Sequence, residues 1–175
     1  MNTVNVRKVE IGKGIPKICV PVVGITRDDI IDAACKAKET ADLVEWRADW
    51  YEDVLDFKKT EKMMEELRET LGDIPLLFTF RTLKEGGEKE IEKSVYVKLN
   101  EMAVKTGFAD LVDAEAFTGT DEVNTIVETA HLYGVKVIAS TLISKNSAKR
   151  RNCIEALLYA GVWCGYCENS GNASI

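Results

Sequence analysis

The sequence predicts an α/β protein with a parallel sheet, of the (β/α)₈ TIM-barrel type but incomplete. Short apolar strands alternate with amphipathic helices about five times along the chain. Short loops join these segments, and a strand-helix-strand order with short loops requires parallel strands. No Gly-x-Gly-x-x-Gly turn follows a predicted strand, which favours a barrel over a dinucleotide-binding sheet.

The predicted elements follow a regular order. Residues 3–14 alternate as an extended hairpin with turn points at Gly12 and Gly14. The predicted strands then span residues 17–23, 43–47, 76–80, 111–115 and 135–140. Four helices are predicted between them, at residues 28–40, 54–71, 90–106 and 121–133. In a barrel, the hairpin is expected to close the bottom.

Length and composition limit the classes of protein. A chain of 175 residues that is 46% hydrophobic can bury its own core, and its length favours one domain. The net charge of −6 argues against nucleic acid as a partner. No segment approaches the roughly 18 apolar residues of a membrane span, and no secretory leader opens the chain. The expectation is a cytoplasmic protein without a membrane partner.

Charged residues stand where two apolar strands end. Glu45 and Arg47 occupy alternate positions of one strand, so both side chains lie on the same face. Arg81 follows the next strand, and the loop after it contains Glu85. Ionised groups in a buried strand are unfavourable unless they pair or bind a ligand. A solvated turn would explain an isolated case, but two adjacent cases predict a binding site at the carboxyl ends of the strands.

Three motifs in this order and spacing resemble one family. They are EWRAD at residues 45–49, LFTFR with KEGGE at residues 77–81 and 84–88, and DLVDAE at residues 110–115. Over residues 3–140 the chain is similar to the type I 3-dehydroquinate dehydratases of the shikimate pathway. The resemblance implies a TIM barrel and a hydro-lyase that converts 3-dehydroquinate into 3-dehydroshikimate through a Schiff base on a lysine. It implies no metal or organic cofactor, and a homodimer for the full-length family.

The resemblance also implies roles for individual residues. Glu45, Arg47 and Arg81 would bind the substrate. Glu85 would orient a histidine that serves as general acid and base in the family. Leu142, however, stands at the position of that histidine, and no strand carrying the Schiff-base lysine follows in frame. The chain's own His131 is interpreted as a residue at a helix C-terminus, where the helix dipole favours it.

The composition changes after residue 140. A complete barrel takes about 250 residues, so roughly three strands are expected to be missing. Residues 140–175 carry a net charge of +2 against −8 for the preceding residues, and hold three of the five cysteines. This change in composition coincides with the loss of the resemblance, and a frameshift in the coding DNA would explain both. Back-translation of the tail, read one nucleotide later, can yield a string like the family's sixth strand, with its lysine encoded across the codons of Glu168 and Asn169.

The predicted organisation is therefore a partial dehydroquinase barrel at residues 1–144 and an out-of-frame tail at residues 145–175. An irregular helix is expected at about residues 148–159, and the chain is predicted to be impaired or inactive. Two alternatives stay open. One is a non-catalytic sugar-acid binding protein. The other is a thiol redox protein through Cys164 and Cys167, which would need the first cysteine at a helix N-terminus.

Overall fold

The structure, a computed structural model, describes residues 3–141 and the strands Cys153–Leu158 and Val162–Cys167. Its strands are β1 Val4–Val6, β2 Val9–Ile11, β3 Cys19–Val22, β4 Leu43–Arg47, β5 Leu76–Thr79, β6 Leu111–Glu115, β7 Lys136–Ser140, β8 Cys153–Leu158 and β9 Val162–Cys167. Its helices are α1 Arg27–Ala37, α2 Phe57–Leu71, α3 Lys93–Lys105 and α4 Thr120–Leu132. Short 3₁₀ turns follow β4 and β5, at Ala48–Trp50 and Leu83–Glu85. No helix in the described part of the chain is long and apolar enough to cross a membrane.

The main sheet orders its strands β3-β4-β5-β6-β7-β8-β9. The first five of these strands run parallel, and each pairs with the next one along the chain. A helix connects each parallel strand to its neighbour, which is the order that the sequence predicts. The α/β class and the incomplete barrel are confirmed for the described residues.

Successive side chains of β4 point to opposite faces of the sheet, so its apolar side chains are separated from its charged ones. Val44 and Trp46 of β4 are fully buried in the core between sheet and helices. The rings of Trp46 and Phe78 of β5 pack in a T-shaped arrangement, with 5.7 Å between their centroids. Glu45 and Arg47 fall on the opposite face because successive strand residues alternate. Packing of the apolar residues thus places the charged ones toward the barrel interior.

The N-terminal hairpin closes one end of the sheet. Strands β1 and β2 pair antiparallel, and Val4 and Val6 pack on Leu43, Leu77 and Leu111 near the amino ends of β4 to β6. This apolar plug removes the bottom layer of the barrel interior from water. The predicted hairpin at the bottom of the barrel is confirmed, but its turn lies at Arg7 and Lys8, whereas Gly12 and Gly14 follow β2.

Two helices begin later than the sequence pattern indicates. The side chain of Asp56 accepts hydrogen bonds from the backbone N–H of Lys58 and Lys59, so α2 begins at Phe57 rather than at residue 54. Helix α3 begins at Lys93 rather than at residue 90, because the preceding residues continue the loop after β5. The apolar periodicity extends into these loops, so periodicity alone does not locate the first residue of either helix.

The expected helix at about residues 148–159 is wrong where the structure describes it. Residues Cys153–Leu158 form β8, which runs antiparallel to β7, and β9 runs antiparallel to β8. The edge of β7 presents backbone N–H and C=O groups that an extended apolar run can pair with. No described strand after β7 continues the parallel order. The out-of-frame origin of residues 145–175 stays a prediction.

Candidate functional site

The candidate site lies at the carboxyl ends of β4 to β7 and is centred on Arg81, which is only 6% exposed. One guanidinium nitrogen lies 3.0 Å from Asp113 Oδ2. The other donates to Ser140 Oγ at 2.9 Å and to Glu85 Oε2 at 3.3 Å, and lies 3.5 Å from Glu115 Oε1. The buried guanidinium of Arg81 thus contacts three carboxylates and one hydroxyl, and it links β6 and β7 to the loop after β5.

Burial raises the pKa values of the two acidic side chains of β6. Asp113 and Glu115 sit two positions apart, so both face the same side as Arg81. Burial raises the pKa of Asp113 to about 6, although Arg81 and Ser140 act in the opposite direction. Burial also raises the pKa of Glu115, partly offset by hydrogen bonds from the backbone N–H and hydroxyl of Thr82 at 2.7 and 2.8 Å.

Tyr96 of α3 supports β6 from behind. Its hydroxyl donates to the carbonyl of Asp113 at 3.3 Å and accepts from the N–H of Glu115 at 3.0 Å. Pairing between β5 and β6 is limited to Leu77 with Leu111 and Phe78 with Val112. The phenol therefore satisfies backbone groups of β6 beyond the last pair, and burial raises its pKa so that it stays neutral.

Arg47 is the more accessible of the two arginines, with 22% of its side chain exposed. Its Nε and a terminal nitrogen donate to the two oxygens of Asp49 at 2.9 and 2.8 Å. Burial lowers the pKa of Arg47, but the bonds to Asp49 more than offset this, and the net pKa is raised. Glu45, partly buried on the same face, interacts electrostatically with this guanidinium.

The structure brings the predicted site residues to one end of the sheet. Arg81 and Glu85 are in contact, and Arg47 is joined to the backbone N–H of Arg81 through the carboxylate of Asp49. Glu45 lies one pleat below Arg47 on the same strand. Their roles toward a substrate stay predictions.

Three other sequence predictions have different outcomes. Leu142 lies outside the described residues. His131 is exposed in the last turn of α4, as expected for a helix C-terminal residue. Cys164 and Cys167 belong to strand β9 rather than to a helix N-terminus, so the backbone does not supply the feature that the redox alternative needs.

Sequence reasoning missed four residues of this site as site members, namely Asp49, Asp113, Glu115 and Ser140. A signal for the two acids of β6 was available. They alternate in an otherwise apolar strand, with the same spacing that identifies Glu45 and Arg47.

A cavity of about 790 Å³ adjoins the charged cluster. Its walls include Thr82, Glu85, Tyr96, Glu115 and Phe117. This volume lies within the range of small-molecule sites, roughly 300–1,000 Å³. Within the described part of the chain, no group of three His, Cys, Asp or Glu side chains is arranged to hold a metal ion.

The fold and the site define a barrel-type α/β protein whose polar groups converge at the carboxyl ends of parallel strands, where enzymes of this fold carry their active sites. Comparison with known sequences specifies the family. The profile of the type I 3-dehydroquinase family matches residues 18–160. The chain therefore belongs to the type I 3-dehydroquinase family.

Individual relatives agree with this membership. The 3-dehydroquinate dehydratase of Clostridium botulinum (strain Eklund 17B / Type B) is 53% identical over 138 residues, which are 78% of this chain and 54% of that protein. The 3-dehydroquinate dehydratase of Clostridioides difficile (strain 630) is 41% identical over 155 residues, 88% of this chain and 61% of that protein. The chain thus spans a little more than half the length of these relatives.

Solved structures show the same similarity. The type I 3-dehydroquinate dehydratase from Clostridium difficile with covalent modified comenic acid superposes with a TM-score of 0.76 at 44% identity, covering 78% of this chain and 54% of that one. The 3-dehydroquinate dehydratase from Enterococcus faecalis superposes with a TM-score of 0.78 at 40% identity, covering 83% and 61%.

Proposed function

We propose that this chain binds 3-dehydroquinate as the substrate-positioning part of a type I 3-dehydroquinate dehydratase site. The observation that carries the proposal is the partly exposed guanidinium of Arg47, which Asp49 holds at the carboxyl ends of the parallel strands beside the buried Arg81. Planar guanidinium forks supply directional donors for hydroxyl and carbonyl oxygens. Membership of the family supports a polyhydroxylated keto acid as the ligand.

Each group has a distinct task in this proposal. Arg47 contacts substrate hydroxyls, because part of its fork is exposed while Asp49 fixes the rest. Arg81 supports the site mainly through its bonds to acids, since both of its terminal nitrogens are already engaged. Glu45 adds an acceptor below Arg47, and Glu85 stands where it can orient an acid or base.

We infer that the chain itself turns over 3-dehydroquinate poorly or not at all. Leu142 occupies the position at which the family resemblance implies a histidine. The two strands after β7 read CIEALL and VWCGYC, and neither contains a lysine that could form a Schiff base. Loss of acid–base catalysis alone costs about 10²–10⁴-fold in rate. Binding without turnover is the expected behaviour.

We also propose a cellular location and a set of partners for this chain. The net charge of −6 supports the absence of a nucleic-acid partner. A cytoplasmic location fits an enzyme family whose ligand is a small metabolite. A homodimer stays a prediction from the family.

The proposal is tested by calorimetry with 3-dehydroquinate on the unchanged chain and on Arg47→Lys. Lysine keeps the charge but loses the fork, so the affinity should fall by about tenfold, or 1.4 kcal/mol. The matched control is Arg27→Lys, because Arg27 pairs with Asp28 and Glu66 on the outer side of the molecule. The control should bind like the unchanged chain.

Two results would contradict the proposal. A folded chain that gives no heat at millimolar ligand would remove the binding function. Formation of the conjugated enone of 3-dehydroshikimate, followed by its ultraviolet absorbance at a rate typical of enzymes, would overturn the inferred lack of turnover while leaving binding in place.

A further inference from the structure

Asp49 stands apart from the residues to which a substrate role is assigned, because its side chain is fully buried and faces protein donors. It belongs to the 3₁₀ turn that follows β4. A buried carboxylate is strongly unfavourable unless every lone pair meets a donor. The donors around Asp49 therefore indicate what this residue does.

Four N–H groups converge on its two oxygens. Oδ1 accepts from Arg47 Nε at 2.9 Å and from the backbone N–H of Arg81 at 3.3 Å. Oδ2 accepts from a terminal nitrogen of Arg47 at 2.8 Å and from the backbone N–H of Glu88 at 3.2 Å. One carboxylate thus joins the guanidinium of β4 to both ends of the loop that follows β5.

The backbone of Asp49 adds a fifth contact to the same loop. The Nζ of Lys89 donates to the carbonyl of Asp49 at 2.6 Å and to that of Tyr51 at 2.9 Å. Within the loop, the N–H of Leu83 donates to the carbonyl of Lys89 at 2.9 Å, which holds the loop ends together. Glu85 lies inside this closed segment and contacts Arg81.

We propose that Asp49 is a positioning residue that holds the Arg47 guanidinium and the loop of residues 81–89 as one rigid unit. It acts through other groups, since none of its oxygen atoms is left for a ligand. Arg47 and Glu85 would otherwise sit on separate segments and move independently. The consequence for substrate contact rests on the proposed function, whereas the rigid unit itself does not.

The chemistry of the side chain makes the proposal specific to a carboxylate. Aspartate is an acceptor at both oxygens, with about four lone-pair sites. An asparagine would turn one oxygen into an NH₂ group that faces a guanidinium and a backbone N–H, both of which are donors. Asp49→Asn should therefore break the hydrogen bonds that one of the two oxygens accepts from Arg47 and from a backbone N–H, with little change in side-chain volume.

The experiment is nitrogen-15 NMR on the ligand-free chain, so it does not depend on whether 3-dehydroquinate binds. The Nε–H signal of Arg47, assigned by its loss in Arg47→Lys, should be resolved and slow to exchange. The backbone amides of Arg81 and Glu88 should also exchange slowly. In Asp49→Asn the Arg47 signal should shift or broaden, and both amides should exchange at least about tenfold faster.

Asp110→Asn is the matched control. Asp110 accepts from Arg7 Nε at 2.6 Å, from a terminal nitrogen of Arg68 at 2.9 Å and from the N–H of Leu76 at 2.9 Å, at the opposite end of the sheet. Its loss should lower the unfolding temperature without moving the Arg47 signal. Equal changes in both variants would show a general loss of stability and overturn the proposal.

The unchanged chain keeps the proposal testable if Asp49→Asn does not fold. Fast exchange of Arg47 Nε–H and of the Glu88 amide in the folded, unsubstituted protein would show that Asp49 does not hold them. Asp49→Glu, which keeps the charge on a longer arm, should restore folding but not the slow exchange. Full restoration of slow exchange by glutamate would contradict the strict geometry that we propose.

Discussion

Individual side chains of the site divide into those that are already satisfied and those with capacity to bind. The terminal nitrogens of Arg81 meet Asp113, Ser140 and Glu85 at 3.3 Å or less. Removing such a buried cation would take away the positive charge that offsets these buried acids, and breaking a buried pair costs about 3–5 kcal/mol. Arg47, with 22% of its side chain exposed, has more access to a ligand. Substitutions at Arg47 therefore test binding more cleanly than substitutions at Arg81.

The pKa of Asp113 predicts a pH effect on stability. Because burial raises this pKa from 3.8 to about 6, the folded state takes up the proton before the unfolded state does. Above about pH 6 the buried Asp113 carries a charge, which lowers the free energy of unfolding. This loss of stability is relieved as the pH falls from about 6 toward 3.8, because the folded state takes up a proton. Compared with Asp113→Asn, the free energy of unfolding of the unchanged chain should rise by up to about 1.4 kcal/mol for each unit by which the pH falls in this range. Urea unfolding at pH 7 and pH 4.5 measures the difference.

Asp73→Asn is the control for this measurement. The ion pair with Lys8 holds the pKa of Asp73 below its usual value, so Asp73 stabilises the folded state above its unfolded pKa. That stabilisation is lost as the pH falls through the pKa of Asp73 in the folded state. The effect of acid at Asp73 is therefore opposite to its effect at Asp113. A stability difference between the chain and Asp113→Asn that is the same at both pH values would contradict the assignment.

The sequence could predict the site residues that follow strand periodicity, but not those that depend on neighbouring segments. Glu45 and Arg47 alternate within β4, and a period of two is visible without a structure. Asp49 lies in a 3₁₀ turn without such a period. Its importance depends on the N–H groups of Arg81 and Glu88, which only the pairing of β4 with β5 brings close.

The loop after β5 is the element on which the site depends most. It carries Glu85 and closes through the bond between Leu83 and Lys89. Gly86 adopts a positive φ of 84° with open space around it, whereas a Cβ on Gly87 would meet the carbonyl oxygen of Arg81 at 1.9 Å. The two glycines are therefore required for different reasons, one for backbone conformation and one for close approach.

Gly87→Ala should distort this loop more than Gly86→Ala does. Alanine at residue 86 should cost about 1 kcal/mol for the left-handed conformation. Alanine at residue 87 must push the Arg81 backbone away, so the loss of stability should be larger, and 3-dehydroquinate binding should weaken as well. Urea unfolding and calorimetry on both variants provide the comparison. If Gly86→Ala and Gly87→Ala have the same stability and the same affinity, the loop backbone can move to accommodate the added methyl group, which would contradict this prediction.

Among the elements, the helices and parallel strands are predictable from apolar periodicity, while the two strands after β7 are not. Residues 153–158 contain a short apolar run that periodicity alone does not assign to strand or helix. In the structure this run pairs antiparallel with the edge of β7, where Ile138 lies opposite Leu158. Sheet edges are a property of the assembled fold, so a local pattern cannot reveal them.

The described chain as a whole has an apolar end and a charged end. The hairpin of β1 and β2 seals the amino ends of the strands, and the arginines and acids occupy the carboxyl ends. The side chains at the charged end come from four neighbouring parallel strands and their loops, and the pairing of β4 to β7 in register brings these side chains together.

Placing histidine at residue 142 should not restore turnover. Leu142→His supplies at most a proton shuttle, and the sequences of β8 and β9 contain no lysine for the Schiff base. After incubation with 3-dehydroquinate and borohydride, the mass of this variant should be unchanged. The Clostridium botulinum relative, treated in parallel, is the positive control. A mass increase on Leu142→His would show that another group of this chain reacts.

The most direct measurement is an NMR titration of the unchanged, nitrogen-15-labelled chain with 3-dehydroquinate. Binding at the carboxyl ends of β4 and β5 should shift the Nε–H signals of Arg47 and Arg81 and the amide of Glu85, and leave Arg7 and the amide of Asp110 at the hairpin end unchanged. An absence of shifts at millimolar ligand, or shifts confined to the hairpin end, would contradict the account.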